Sequence, residues 1–237
     1  MTEGDPSAPH LMNARALIRR GAFAEAAILL RKEIEDVEVR RGAQALQLVE
    51  LLYAYAHALS RQRSWNVDSP EEEAALERAL RIACQNHGNA SVQAARVREA
   101  LAVYLRSVGK IEAAVSHMEM VVLATESARG EGTVLGHALD GLAGMLLDVG
   151  RYTEAAQIYE RALGMMGGRS SDAQRILMQF NHARALLLAG RPSDAASEFD
   201  CVHLWCVRKY GSEHRRTHEA QEWLERARME VKRGNRT

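Results

Sequence analysis

Two interleaved series of glycines, sharing a period near 42 residues, constrain this chain more than any other feature. The first series is Gly21, Gly109, Gly150 and Gly190, spaced by 88, 41 and 40 residues. Seven residues before each stands an alanine (Ala14, Ala102, Ala143, Ala183), and five residues after each stands another (Ala26, Ala114, Ala155, Ala195). Nine residues after come Leu30, Met118, Tyr159 and Phe199, all large and apolar. The second series, Gly42, Gly88, Gly130, Gly168 and Gly211, is spaced by 46, 42, 38 and 43 residues. Self-similarity at a period of this length marks a chain assembled from copies of one supersecondary unit, each burying its apolar face on the next.

The unit reads as two helices. Leu139, Leu142 and Leu146 before Gly150, and Ile158, Tyr159 and Leu163 after it, recur at helical spacing. Ala, Leu, Arg and Glu dominate the composition and only four residues are proline, which favours helix throughout. The glycine falls just past the end of the first helix, where a left-handed conformation satisfies the last carbonyls without a Cβ clash. So short a turn makes the two helices antiparallel and close, and the alanines lie where their backbones approach. Thr153 and Ser193 read as N-caps of the second helix. Met118, Met120, Met165, Met166 and Met178 fall beside Leu and Val as core filler. The 88-residue gap holds one unit without its glycine. "VELLYAYAHALSRQ" is its first helix, "SPEEEAALERALRIAC" its second, and the insertion "RSWNVD" replaces the turn. Ser69 reads as the second helix's N-cap, with Pro70 in the first turn and Glu72 completing a capping box.

Residues 136–163 resemble a tetratricopeptide repeat (TPR): small residues at both crossings, the turn glycine, an aromatic after it and another on the second helix. Leu139 stands where that repeat usually has tryptophan, and no proline ends the second helix. Longer units with a glycine and then a histidine between repeats are similar to those of kinesin light chains and related bacterial proteins. "YGSEHRRTHEAQEWL" (210–224) matches that linker through Gly211, His214 and Thr217, with Arg215 where a proline is common. The resemblance implies an all-α fold, a right-handed α-solenoid (superhelix) of about five TPR helix pairs plus a C-terminal capping helix. The expected organisation is a disordered N-terminus (1–7), a single solenoid over 8–233 and a tail at 234–237. Its repeats fall at about 8–41, 43–87, 91–129, 136–167 and 173–210, with the capping helix at 216–233.

In such solenoids the first helices line a concave groove that takes an extended peptide or a partner helix. Carried over residue by residue, the resemblance places Tyr53 and His57 on that wall from the second repeat, and Arg96, Glu99, Val103 and Arg106 from the third. His137, Asp140, Gly141 and Gly144 come from the fourth, Leu177, Phe180, Asn181 and Arg184 from the fifth, and Arg15 and Arg19 from the first. A groove asparagine such as Asn181 holds a peptide backbone through its amide. Arg96, Arg106 and Arg184 offer forked hydrogen bonds to acids. Gly141 and Gly144 leave room for something bulky. The expected function is a non-enzymatic scaffold or adaptor that binds a peptide segment of another protein. The alternative is a regulatory sensor or inhibitor whose solenoid changes conformation on binding a short peptide or small molecule. The full lysine-and-asparagine set of the carboxylate clamp in chaperone-binding relatives is absent.

Charge and motif content exclude other classes. Lys plus Arg and Asp plus Glu balance at 31 each, so no global field draws nucleic acid or an anionic membrane. The arginine-rich C-terminus has almost no aromatics interleaved as on a nucleic-acid surface. No apolar run is long enough to span a bilayer, and "MTEGDPSAPH" lacks a secretion pattern. Three cysteines, an odd and low count, fit a reducing compartment, so a cytoplasmic location is expected. No phosphate loop, H-E-x-x-H or G-x-S-x-G occurs, and no cofactor or catalytic role is expected. "GMMGGRSSD" reads as a linker in preference to an anion cradle. Cys201, His203, Cys206, His214 and His218 carry zinc-type ligands, yet Cys201 and Cys206 point roughly 140° apart on a helix, so no metal is expected.

Overall fold

A computed structural model describes residues 8–128, 132–165 and 172–234. The expected disordered N-terminus at 1–7, Gly130, Met166, Gly168, most of the "GMMGGRSSD" segment and tail residues 235–237 lie outside them. Every element of the described residues is an α-helix and none is a strand, as the periodicity requires. The chain divides into two compact units, Met1–Ala128 and Arg129–Thr237. The first holds α1 (Ala8–Arg19), α2 (Phe23–Arg41), α3 (Leu48–Ser60), α4 (Pro70–His87), α5 (Val92–Ser107) and α6 (Ile111–Ser127). The second holds α7 (Gly132–Asp148), α8 (Tyr152–Met165), α9 (Asp172–Leu188), α10 (Pro192–Tyr210) and α11 (Arg215–Gly234). Within each unit every helix packs on the next in sequence; α1 also meets α3, and α9 meets both α7 and α11.

The turn glycines repeat one geometry. Gly21, Gly109, Gly150 and Gly190 have φ of 80°, 83°, 80° and 79°. In each turn the glycine N–H donates to the carbonyl three residues back, and the next N–H donates to the carbonyl five back, as in Gly21 to Ile18 and Ala22 to Leu17. That is the Schellman pair of bonds, which closes a helix and turns the chain in one step. The residue after the glycine already accepts the first bond of the following helix: the Arg151 carbonyl from Ala155, the Arg191 carbonyl from Ala195. This corrects the N-caps expected at Thr153 and Ser193. Both residues lie inside their helices, and the cap of α10 is Arg191, with no side-chain capping bond. The one-residue connection leaves no room for a separate capping side chain. Arg151 and Arg191 instead reach forward to Glu154 and Asp194 at 2.6 and 2.7 Å.

The crossing positions are filled as the repeat demands. All eight alanines seven before and five after these glycines are fully buried at 0% exposure. Leu30, Met118, Tyr159 and Phe199 are buried too. Any larger side chain at the alanines would prop the helix backbones apart. Met118 and Met178 are core filler as expected, whereas Met165 is exposed at the end of α8.

In the unit without a turn glycine, the insertion is tied down instead. Asn66, at φ +66°, is the one positive-φ non-glycine among the described residues, and its N–H donates to the Ser107 carbonyl at 3.0 Å. Arg63 crosses the turn. Its Nε donates to Glu72 Oε2 at 2.6 Å, its Nη2 to Ser107 Oγ at 2.6 Å, and its guanidinium lies 5.1 Å from the Tyr104 ring centroid. Ser69 caps α4 through Glu72 N–H at 3.4 Å, but the reciprocal half of the expected capping box is missing. The Glu72 carboxylate turns to Arg63, and the Ser69 N–H donates to the Tyr104 hydroxyl at 3.2 Å. That hydroxyl donates in turn to Asp68. A buried carboxylate facing a guanidinium gains more from the ion pair than from one backbone amide.

Of the second glycine series, Gly42, Gly88 and Gly211 end second helices. They have φ of 88°, 84° and 91° with ψ near 160°, a region reached essentially by glycine alone. At Gly211 the carbonyl accepts from the buried Thr217 hydroxyl at 2.8 Å, and His214 stacks on Tyr210 at 4.7 Å. A Cβ at Gly211 or at Gly164, within α8, would meet nothing within 4 Å, so backbone conformation alone separates the two sites. Gly211→Ala is therefore expected to cost about 1–3 kcal/mol. Gly164→Ala is expected to stabilise by about 0.5–1 kcal/mol. Urea denaturation midpoints of the two variants check both signs.

Candidate functional site

In the first unit, α3 and α5 each present one face to a hollow of about 470 Å³. Tyr53 and His57, one turn apart on α3, share a face, as do Arg96, Glu99 and Val103 on α5. The insertion adds Trp65, 63% exposed, and Arg63, and Arg61 joins them from the end of α3. Five of the residues expected from the sequence are thus brought together: Tyr53, His57, Arg96, Glu99 and Val103. Arg106 is half-buried on the same helix and outside the lining, while Arg15 and Arg19 border an adjoining hollow with Tyr53, His57 and Arg96.

The charges here are largely spoken for. Arg96 lies 4.5 Å over the Tyr53 ring and donates to Glu50 Oε1, while Arg15 donates to Glu50 Oε2 at 2.6 Å. Glu50 therefore holds Arg96, which the sequence offers to a partner's acids, together with Arg15 of the expected wall. Arg61 lies 5.4 Å over the Phe23 ring. What remains open to a visitor is an exposed indole, the exposed Val103 and the imidazole of His57, on a wall where cations outnumber acids. Such a wall can stack and desolvate a side chain and pair an acid at its rim.

The second unit gathers Phe180, Asn181 and Arg184 of α9 into a separate cavity of about 210 Å³, completed by α10 and α11. Phe180 meets Phe199 and Trp223 edge-on at 5.5 and 6.4 Å, and Arg184 lies 5.2 Å over Trp223. His137 and Asp140 stand on α7, with His137 Nδ1 accepting from Gln174 Nε2 at 3.0 Å. Cys206 is buried, with its thiol pushed up by burial, and Cys201 is exposed. Among the described residues no group of three or more His, Cys, Asp or Glu side chains could hold a metal ion. Nor is any described helix long and apolar enough to cross a membrane.

Sequence reasoning did not assign Trp65, Arg61, Trp205, Tyr210 or Arg216 to any site. Trp65 carried a signal, a tryptophan inside the one segment that breaks the repeat. The other four sit outside the first-helix positions that the repeat pattern selects.

No protein-family model and no curated protein matches the sequence. Solved structures do match the fold. The chain is similar to the nearly identical TPR-like repeats of a Podosopora anserina kinesin light chain-type protein, at 17% identity and TM-score 0.73, over 89% of this chain and 99% of that one. It is similar to BtubC from P. vanneervenii at 20% identity and TM-score 0.70, over 85% and 81% of the two chains. A third match is YrrB, a TPR protein with an unusual peptide-binding site, at 14% identity and TM-score 0.62, over 90% and 91%. With its glycine-closed helix pairs and alanine crossings, the chain has the fold of a tetratricopeptide-repeat protein.

Proposed function

We infer that this protein is a non-enzymatic, cytoplasmic interaction scaffold, and that it binds a peptide segment of a partner protein along α3 and α5 of the first unit. The observation that carries this reading is the hollow that places Tyr53, His57, Arg96 and Glu99 beside an exposed tryptophan. An exposed aromatic held by an anchored turn loses little freedom on binding, which is the profile of an interface hot spot. The fold supports the same reading, since YrrB, which shares it, is a TPR protein with a peptide-binding site. The peptide's acids meet Arg96 at the rim, in exchange with or beside Glu50. His137, Asp140 and Arg106 are not part of this hollow's lining, so the reading centres on α3 and α5.

Affinity capture from a lysate of the source cells, with wild type and a Tyr53→Ala/Trp65→Ala variant, tests it. The expected result is a protein that the wild type retains and the variant loses, while the circular dichroism melts of the two coincide. A partner retained equally by both would place recognition elsewhere.

A further inference from the structure

The cavity of the second unit sets an apolar and aromatic patch, Ile176, Phe180, Val202 and Trp205, beside polar groups around about 210 Å³. An apolar cavity of about 150 Å³ is enough to take benzene, so a ring with one small substituent fits here. Two guanidinium groups, Arg184 and Arg216, stand on the same lining, against one acid, Glu219.

Neither arginine has a carboxylate partner among the described residues. Arg184 makes one long hydrogen bond, Nη1 to Asn181 Oδ1 at 3.4 Å, and its buried Nε has no acceptor. Arg216 Nη1 donates to the Tyr210 hydroxyl at 3.1 Å and stacks 5.6 Å from that ring. Elsewhere in the same unit arginines find acids: Arg151 with Glu154, Arg191 with Asp194 and Arg228 with Asp200. The Arg184 Nε is sealed from solvent, so it is the Nη edge of this guanidinium, with Nη2 unbonded, that a ligand oxygen can meet. Its fork matches a carboxylate, and the aromatic walls match a ring presented edge or face on.

The geometry points to a binding site for a small aromatic carboxylate, its ring among Phe180, Val202 and Trp205 and its carboxylate toward Arg184 and Arg216. This site is independent of the peptide reading for the first unit. No bond is made or broken; the step is binding alone.

Trp205 lines the cavity, so its fluorescence reports occupancy. Titrating the full chain with phenylacetate and benzoate should give a saturable change below about 1 mM. Toluene, which lacks the charge, and acetate, which lacks the ring, should bind at least about tenfold more weakly. Arg184→Gln and Arg216→Gln should each weaken phenylacetate by about tenfold or more. Arg216 is exposed, so its variant keeps the test sound even if Arg184→Gln perturbs folding through Trp223. Arg151→Gln, in the same unit but outside the cavity lining, should leave phenylacetate binding unchanged. The inference is overturned if neither acid saturates by about 10 mM, or if Arg216→Gln binds phenylacetate like wild type. It is also overturned if a short peptide ending in a free phenylalanine carboxylate binds far more tightly than phenylacetate, because the natural occupant would then be a chain terminus. Loss of partner capture in the Tyr53/Trp65 variant, with phenylacetate binding intact, would show that the two sites stand separately.

Discussion

Replacing Arg63 by alanine is expected to lower the stability of the first unit by about 3–5 kcal/mol, because it strands a buried carboxylate. Glu72 is 3% exposed, and its Oε2 accepts from Arg63 Nε at 2.6 Å. The same guanidinium holds Ser107 and covers the Tyr104 ring, so its loss also frees the insertion from α5. Burial already pushes the Glu72 carboxyl above the ordinary glutamate range, with Arg63 opposing. A carboxyl raised in the folded state binds its proton more tightly there than in the unfolded chain. Its contribution is therefore most favourable at low pH and is lost as pH rises through the folded value. Without Arg63 the folded value climbs further. The deficit of Arg63→Ala against wild type should thus be largest near about pH 7 and shrink toward about pH 5. Arg63→Ala/Glu72→Gln should recover much of the loss at neutral pH, since no buried charge is then left alone. Urea titrations at the two pH values check all three expectations, and a deficit independent of pH would refute the ion-pair account.

Phe199→Ala is expected to cost about 3–5 kcal/mol in the second unit. The ring is fully buried, meets Phe180 edge-on at 5.5 Å and stacks on Trp223 at 5.9 Å. Truncation leaves a void between α9, α10 and α11 that fully helical neighbours cannot close. Leu30, Met118 and Tyr159 occupy the same place in other pairs, so the position wants volume and not a particular ring. Phe199→Met should therefore cost under about 1.5 kcal/mol. Trp223 is the reporter: its emission should move to longer wavelength in Phe199→Ala and hardly at all in Phe199→Met. Phenylacetate binding should weaken with the first variant as well, because Phe180 loses the ring it leans on.

The helix pairs, their turns and their crossings were legible because each is a local property repeated at a fixed period. Gly150 must be glycine for its own φ, and Ala143 must be small for its own crossing. Repetition turned each such requirement into a visible pattern. The caps were misread where locality failed. Thr153 and Ser193 have capping side chains, but the Schellman turn hands its next residue straight to the following helix and leaves them inside it. Glu72 has the capping-box spacing, yet a guanidinium outbids a backbone amide for a buried carboxylate.

The candidate sites divide along the same line. Tyr53, His57, Arg96 and Glu99 share one hollow because helical spacing on α3 and α5 aligns them, and the sequence carries that spacing. By itself, then, the sequence determined where this chain turns and where its helices touch, since backbone conformation and side-chain size at those points depend on a few adjacent residues. Only the tertiary structure decided which charges are already matched. Arg15 reaches Glu50 across 35 residues, Arg96 reaches it across 46, and Arg63 reaches Ser107 across 44. Among 31 acidic residues, no spacing singles out one of them as the partner of a given arginine. Coulombic and hydrogen-bond partners are fixed by distance in space, which packing sets after the helices have formed.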